Sequence, residues 1–214
     1  MKHRDVSDPG SAQPRSGVDL YVDDAAASHW IALIAAEKSI DGARLRSVAD
    51  GSPHDELDTL NPERSLPTLA DREIVLHPAR LIAEYLDERY PHPPLMPVEP
   101  VARARLKLIL DRVETRLFPA AASVRNGGNR RAGLKALRQE LLLMSPLFPA
   151  RGYLLGEAYN LVDCAWAALG WELQTIGAPL DGAGHLETYL RRLFARPAFG
   201  RSLDNLGLRQ MADA

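Results

Sequence analysis

Cysteine is nearly absent from this sequence of 214 residues, which has one, Cys164. A single thiol excludes an internal disulfide and a thiolate metal cluster, and it fits a reducing compartment. No two histidines stand four residues apart around a carboxylate, as in a zinc-binding helix, and no glycine-rich segment carries the lysine and serine of a phosphate-binding loop. We therefore expect no metal and no cofactor.

Long apolar runs and an excess of charge of one sign are missing as well. No segment reaches the roughly 18 apolar residues of a membrane span, and the net charge of −2 gives no overall attraction to nucleic acid or anionic lipid. Residues 1–17 are rich in proline, serine and charge and lack the apolar centre of a secretory signal. These features predict a disordered tail at 1–17 and a cytoplasmic protein with no membrane contact and with DNA contact at most auxiliary.

Residues 18–91 have the pattern of an α/β domain. Short apolar or alternating runs predict strands at 18–21, 43–48, 68–70 and 74–76. Apolar residues at helical spacing predict helices at 28–40, at 57–60 and after Pro78. The predicted order is β-α-β-α-β-β-α, and we assign Ser28 as the N-cap of the first helix.

Proline marks the end of this domain. Five of the 16 prolines lie between residues 91 and 100, and neither a helix nor a central strand passes through such a segment. We predict a stiff linker at 92–100 that separates the α/β domain at 18–91 from a second domain at 101–214. Apolar periodicity predicts that the second domain is all helical, with helices at 102–117, 134–144, 161–171 and 186–194 and from 197 onward.

Three local features each have a structural and a functional interpretation. Asn160 and Asp163 have the spacing of a capping box at the start of a buried helix, and we favour this role over a catalytic one for Asp163. Cys164 follows in the same apolar segment, where a free cysteine usually acts as a small buried hydrophobe. A basic cluster is more typical of a solvated helix face than of a phosphate site. Its residues are Arg125, Arg130, Arg131, Lys135 and Arg138.

The prolines themselves leave two questions open. Pro91-His92-Pro93 is either a linker of limited flexibility or a preorganised exposed loop that holds His92 outward at little entropic cost on binding. Pro67 precedes a predicted strand, and the local pattern favours a trans bond there because only about 5–6% of X-Pro bonds are cis.

The segment 85–97, YLDERYPHPPLMP, closely resembles the stringent starvation protein A family of the glutathione transferase superfamily. The segments 65–69, SLPTL, and 161–164, LVDC, add support, and the resemblance runs over about residues 18–199. It implies a glutathione transferase-like fold, in which an α/β N-terminal thioredoxin-like domain precedes an all-α C-terminal domain. It also implies a cis bond before Pro67 and a homodimer.

The same resemblance implies a function without catalysis. Proteins of this family bind RNA polymerase holoenzyme through the primary sigma factor and alter promoter use in starvation and acid stress. The implied contact surface is the proline-histidine-proline loop, which here is Pro91, His92 and Pro93, followed by Pro94.

The alternative is a glutathione-dependent transferase or thiol reductase. Such enzymes place a tyrosine, serine or cysteine after the first strand and a Glu-Ser or Gln-Ser pair at the start of the third helix. This chain has Ala25-Ala26-Ala27 and Pro78-Ala79 at those places, which offer no side-chain hydrogen bond. Ser28 and Tyr21 are the nearby hydroxyls, and Ser28 is assigned to the helix cap. A third hypothesis is a scaffold that only dimerises with a different helical partner and does not contact polymerase.

Overall fold

In the part of the N-terminal half that the structure describes, four short strands form one mixed sheet. The computed structural model describes residues 17–48, 54–72 and 74–208, so the predicted tail at 1–17 lies almost wholly outside the described residues. The strands are β1 (Val18–Val22), β2 (Arg44–Ser47), β3 (Thr68–Asp71) and β4 (Ile74–Leu76). Their order in the sheet is β2-β1-β3-β4, with β2 parallel to β1 and the other neighbours antiparallel. Every residue of β1 and β3 is buried, as expected of central strands that helices cover.

The N-terminal helices confirm the predicted order of elements, but the first one starts earlier than predicted. They are α1 (Ala26–Glu37), α2 (Asp55–Leu60) and α3 (Ala79–Arg89). Ser28 is not the N-cap of α1, because it lies buried within the helix and its hydroxyl donates to the Asp23 carboxylate. The residue at the N-cap is Ala25, which has no side-chain cap.

The C-terminal half is all helical, as predicted. Its helices are α4 (Pro100–Arg112), α5 (Phe118–Arg125), α6 (Arg130–Met144), α7 (Leu161–Thr175), α8 (Leu186–Phe194) and α9 (Pro197–Leu206). A π-helical turn, Val113–Leu117, joins α4 to α5. The helix predicted at 102–117 is therefore part of a longer continuous helical segment, residues 100–125. The wider turn lies where Pro119 has no N–H to donate to the carbonyl four residues earlier.

One apolar core extends through both halves. Helix α1 lies between them and packs against α7 and α9. Trp30 of α1 is fully buried, and its indole N–H donates to the carbonyl oxygen of Leu161 at 3.2 Å. The core also includes Leu95 of the proline-rich segment, and it is continuous across that segment. The domain boundary at 92–100 therefore stays a prediction. Among the described residues, no helix combines the length and the apolar character of a membrane span.

A capping box starts α7. The Asn160 side chain accepts from the backbone N–H groups of Val162 and Asp163, and Asp163 Oδ2 accepts from the Asn160 N–H at 2.9 Å. Asp163 Oδ1 also accepts from the Leu154 N–H at 2.9 Å and from the Tyr189 hydroxyl at 2.5 Å. The fully buried carboxylate therefore holds together the preceding loop, the start of α7 and α8.

Replacing Asp163 with alanine leaves several buried donors without an acceptor. We expect the free energy of unfolding to fall by on the order of 3 kcal/mol, which lowers the melting temperature by roughly 6–12 °C for a chain of this size. Calorimetry of D163A beside D41A, a change at an exposed aspartate, tests this role. Equal melting temperatures for the two variants would contradict it, as would a loss of partner binding per folded D163A molecule.

Candidate functional site

The proline-rich loop between α3 and α4 presents four residues to solvent. Pro91, His92, Pro93 and Pro94 are all exposed, whereas the next residue, Leu95, has 3% of its surface exposed. The peptide bond before Pro93 is cis, as are those before Pro67 and Pro78. The cis bond before Pro67 agrees with the resemblance, and the local pattern had favoured trans.

A buried lysine holds the inner side of this loop. Lys38 lies at the C-cap of α1, and its side chain has no exposed surface. Its ammonium group donates to the carbonyl oxygens of Tyr90 at 2.6 Å and Pro93 at 2.9 Å. It also forms an ion pair with Asp87 Oδ1 at 2.7 Å, so each of its three protons has an acceptor.

Asp87 of α3 holds the outgoing end of the loop. Its two carboxylate oxygens accept from the backbone N–H groups of Leu95 at 2.8 Å and Met96 at 3.0 Å. The carbonyl oxygen of Leu95 accepts in turn from the N–H of Leu161, the first residue of α7. The loop is therefore anchored through its backbone, which leaves the exposed side chains free of that task and favours the preorganised interpretation.

Sequence reasoning did not assign a role to Lys38 or Asp87. Asp87 lies in the segment 85–97, which carries the family resemblance, and a lysine at the end of an apolar helix signals a buried charge that needs a partner. Glu99 is the N-cap residue of α4. Its carboxylate caps α4 by accepting from the Val101 and Ala102 N–H groups, and these hydrogen bonds lower its pKa.

The start of α1, where a glutathione transferase needs its thiol-binding group, is occupied by a carboxylate of the protein itself. The Ala26 N–H donates to Glu172 Oε2 at 2.8 Å, and Arg125 donates to Glu172 Oε1 at 3.3 Å. Burial raises the pKa of Glu172, while Arg125 and the Ala26 N–H act in the opposite direction. An anion is favoured at a helix N-terminus, and here a side chain of α7 supplies it.

The other positions of the implied glutathione cleft also lack accessible groups. Pro78 is the N-cap residue of α3 and makes no side-chain hydrogen bond there, and Ala79 is buried. The two nearby hydroxyl-bearing side chains, Ser28 and Tyr21, have no exposed surface. Within the described ranges, no group of three histidine, cysteine, aspartate or glutamate residues has a geometry that holds a metal ion.

The basic cluster is engaged largely within the chain. Besides the contact between Arg125 and Glu172, Arg130 donates to the carbonyl oxygen of Ile176 at 2.6 Å, and Arg138 pairs with Asp181 at 3.2 Å. These contacts favour the interpretation as a helix surface over a phosphate site.

Replacing Lys38 with methionine leaves the Asp87 carboxylate buried without its ion-pair partner. We expect a loss of about 3–5 kcal/mol in the free energy of unfolding, together with faster hydrogen exchange at the Leu95 and Met96 amides. The control is K107M, because the ion pair between Lys107 and Glu84 is partly exposed and such pairs contribute about 0–1 kcal/mol. Urea unfolding and exchange measured by NMR check both effects, and equal losses in K38M and K107M would refute the assignment.

Comparison with known proteins identifies the family. No protein-family model matches the chain. It is 42% identical over 180 residues to a stringent starvation protein A homolog of Pasteurella multocida, and the aligned residues cover 82% of this chain and 84% of that protein. The homolog of Histophilus somni is 37% identical over 194 residues, with 88% of each chain covered. A glutathione transferase structure from Methylococcus capsulatus has a TM-score of 0.79 at 25% identity and covers 89% of this chain and 99% of that one. The chain therefore belongs to the stringent starvation protein A family and has the glutathione transferase fold.

Proposed function

We propose that this protein is a non-enzymatic transcription regulator of the cytoplasm that binds RNA polymerase holoenzyme through the primary sigma factor and alters promoter use in starvation and acid stress. The observation that carries the proposal is the exposed loop Pro91-His92-Pro93-Pro94, anchored from beneath by Lys38 and Asp87. Membership of the stringent starvation protein A family supplies the functional class.

The anchored loop has the physical properties of a docking surface. Three prolines among four residues restrict the backbone, and the contacts from Lys38 fix the carbonyl groups on either side of His92. Little conformational entropy remains to be lost when a partner binds. His92 offers a planar ring with a donor and an acceptor at the exposed centre of the loop.

The proposal includes a homodimer. Four large apolar residues on β4, α3 and α4 are exposed. Their exposed fractions are 39% for Ile74, 51% for Leu81, 55% for Val101 and 72% for Leu108. Helices α3 and α4 are linked by the ion pair between Glu84 and Lys107 at 3.1 Å. Exposed apolar groups on adjoining elements are typical of a surface that a second copy covers. Two copies would carry two docking loops, which raises the effective affinity for a large assembly.

The contacts at the former thiol cleft support the absence of glutathione chemistry. The Glu172 carboxylate takes the N–H at the start of α1, and Pro78-Ala79 lacks the side chains that hold the γ-glutamyl end of glutathione. Each charged hydrogen bond lost at such a site costs about 1.5–3 kcal/mol, so two losses weaken binding by roughly a hundredfold or more.

Replacing Pro91, His92 and Pro93 together with alanine removes the docking surface. We expect co-purification with RNA polymerase from a stationary-phase lysate to fall at least about tenfold, because such loops concentrate the binding energy in few side chains. The far-ultraviolet spectrum and the dimer should be unchanged, since Lys38 and Asp87 contact the backbone.

The matched control is P146A/H185A, which alters an exposed proline and an exposed histidine outside the loop and should keep full retention. Unchanged retention of the loop variant would contradict the assignment of Pro91, His92 and Pro93. A wild-type protein that dimerises without binding polymerase would instead support the scaffold hypothesis.

Glutathione provides an independent test of the enzymatic alternative. We expect the purified protein to show no retention on glutathione-agarose and no conjugation of an aromatic electrophile, because Glu172 and Pro78 occupy the positions that would bind the thiol substrate. Isothermal titration with reduced glutathione checks binding directly. Turnover above the uncatalysed rate would favour the transferase or thiol reductase.

A further inference from the structure

A cluster of five charged side chains lies between α3 of the N-terminal half and the end of α4 in the C-terminal half. Arg80 and Glu84 belong to α3, and Lys107 and Asp111 belong to α4. Glu114 is the second residue of the π-helical turn that follows α4. Turns of this type are rare and are frequent at functional sites. The proposed docking loop uses none of these side chains.

Arg80 is divided among three acceptors. Its Nε lies 3.4 Å from Glu84 Oε1, its Nη1 lies 3.5 Å from Glu114 Oε2, and its Nη2 lies 3.4 Å from the carbonyl oxygen of Lys107. A close hydrogen bond between a guanidinium group and a carboxylate is about 2.7–2.9 Å long. Arg80 therefore holds none of the three acceptors closely, and one cation serves two carboxylates.

Of these two carboxylates, Glu114 has the weaker compensation for its charge. Glu84 has a second cation, because Lys107 Nζ lies 3.1 Å from its Oε2. Glu114 has only its share of Arg80, and Asp111, three residues earlier, places a like charge on the same side of the helix. Its side chain is 19% exposed, so water solvates the carboxylate only in part.

The environment of Glu114 favours its protonated form. Burial raises the pKa of Glu114 to about 7, Arg80 acts in the opposite direction, and Asp111 and Glu84 add to the rise. The carboxyl group therefore changes its charge close to neutral pH, whereas an ordinary glutamate does so near 4.5.

The charged groups of the other elements that pack against this turn have partners of their own. Helix α6 carries Glu140, which pairs with Arg112 at 2.7 Å. Helix α5 carries Arg125, which pairs with Glu172 of α7 at 3.3 Å. Asp163, at the start of α7, belongs to the capping box. The charge at the turn is therefore balanced within the cluster itself.

We propose that Glu114 is a proton switch between the two halves of the fold. When its carboxyl group is ionised, Arg80 lies between Glu84 and Glu114 and links α3 to the turn. When Glu114 takes up a proton from water, its negative charge is lost and Arg80 pairs with Glu84 alone. The switch needs neither polymerase nor the docking loop.

The direction of the pH dependence follows from this proton uptake. Glu114 has a pKa of 4.5 in the unfolded chain and of about 7 in the folded protein. Between these values the folded state binds more protons than the unfolded state, so acidification stabilises the fold. The gain is complete below about pH 4.5 and is lost as the pH rises through about 7.

Titration of the unaltered protein, followed by NMR at single side chains, tests the switch directly. We expect the ¹³C signal of the Glu114 carboxyl group to titrate with a midpoint near 7. The Arg80 Nε signal should move with the same midpoint, because its partner changes. A Glu114 midpoint below about 5, or an Arg80 signal that does not follow it, would overturn the proposal. This measurement does not depend on any variant folding.

Two variants change the cluster in a defined direction. In E84Q, Arg80 has one carboxylate left, so the Glu114 midpoint should fall by about one pH unit. E114Q cannot take up the proton. The melting temperature of the wild type relative to E114Q should therefore rise by on the order of 5 °C between about pH 8 and about pH 5. The comparison removes the contribution of Asp163, whose pKa burial also raises to about 7.

The matched control is E140Q, which removes the carboxylate of the close pair with Arg112 and should keep the pH dependence of the wild type. The same pH dependence in E114Q and the wild type would contradict the switch, as would an E84Q midpoint at or above that of the wild type. Since no measurement involves polymerase, the switch can fail while the proposed regulatory function stands.

Discussion

The ion pair between Lys38 and Asp87 is the interaction on which the arrangement of the candidate site depends. A lysine with no exposed surface is stable in a protein only when its charge is paired and its protons are accepted. Here the partners are a carboxylate of α3 and two carbonyl groups of the proline-rich loop. The same carboxylate accepts from two further loop amides. Satisfying one buried charge therefore sets the path of the loop between α3 and α4.

The two ends of α1 show how a fold shared with glutathione transferases is adapted in this chain. At the N-terminal end, Glu172 of α7 accepts the N–H of Ala26, at the place where a transferase prepares its thiol. At the C-terminal end, Lys38 supports the exposed loop. Between them, Trp30 and its neighbours pack against α7 and α9. One helix thus places its N-terminal N–H against a carboxylate of α7 and supports, at its other end, the surface that we propose for the partner.

Local periodicity predicted most of the secondary structure. The order of strands and helices and the capping box at Asn160 and Asp163 all depend on residues within a few positions of one another. The start of α1 was predicted wrongly, because Ser28 satisfies the local rule for a cap while the acceptor that meets the first N–H, Glu172, comes 146 residues later. The cis bonds before Pro78 and Pro93 had no local signal.

The sequence by itself determined the fold class, the position of the proline-rich segment and the family, since composition, apolar spacing and the run from Tyr85 to Pro97 can all be read along one chain, whereas the exposure of Pro91 to Pro94 is seen in the structure. Tertiary structure decided which side chains support that segment and which side chain accepts from the N–H at the start of α1. The residues of each contact lie far apart along the chain. By subtraction of residue numbers, 49 positions separate Lys38 from Asp87. Likewise, 146 positions separate Ala26 from Glu172, and 173 separate His29 from Ser202. Buried charges and polar atoms pair with whichever groups lie near them in the folded core. The distance between two residues along the chain does not show which of them come into contact there.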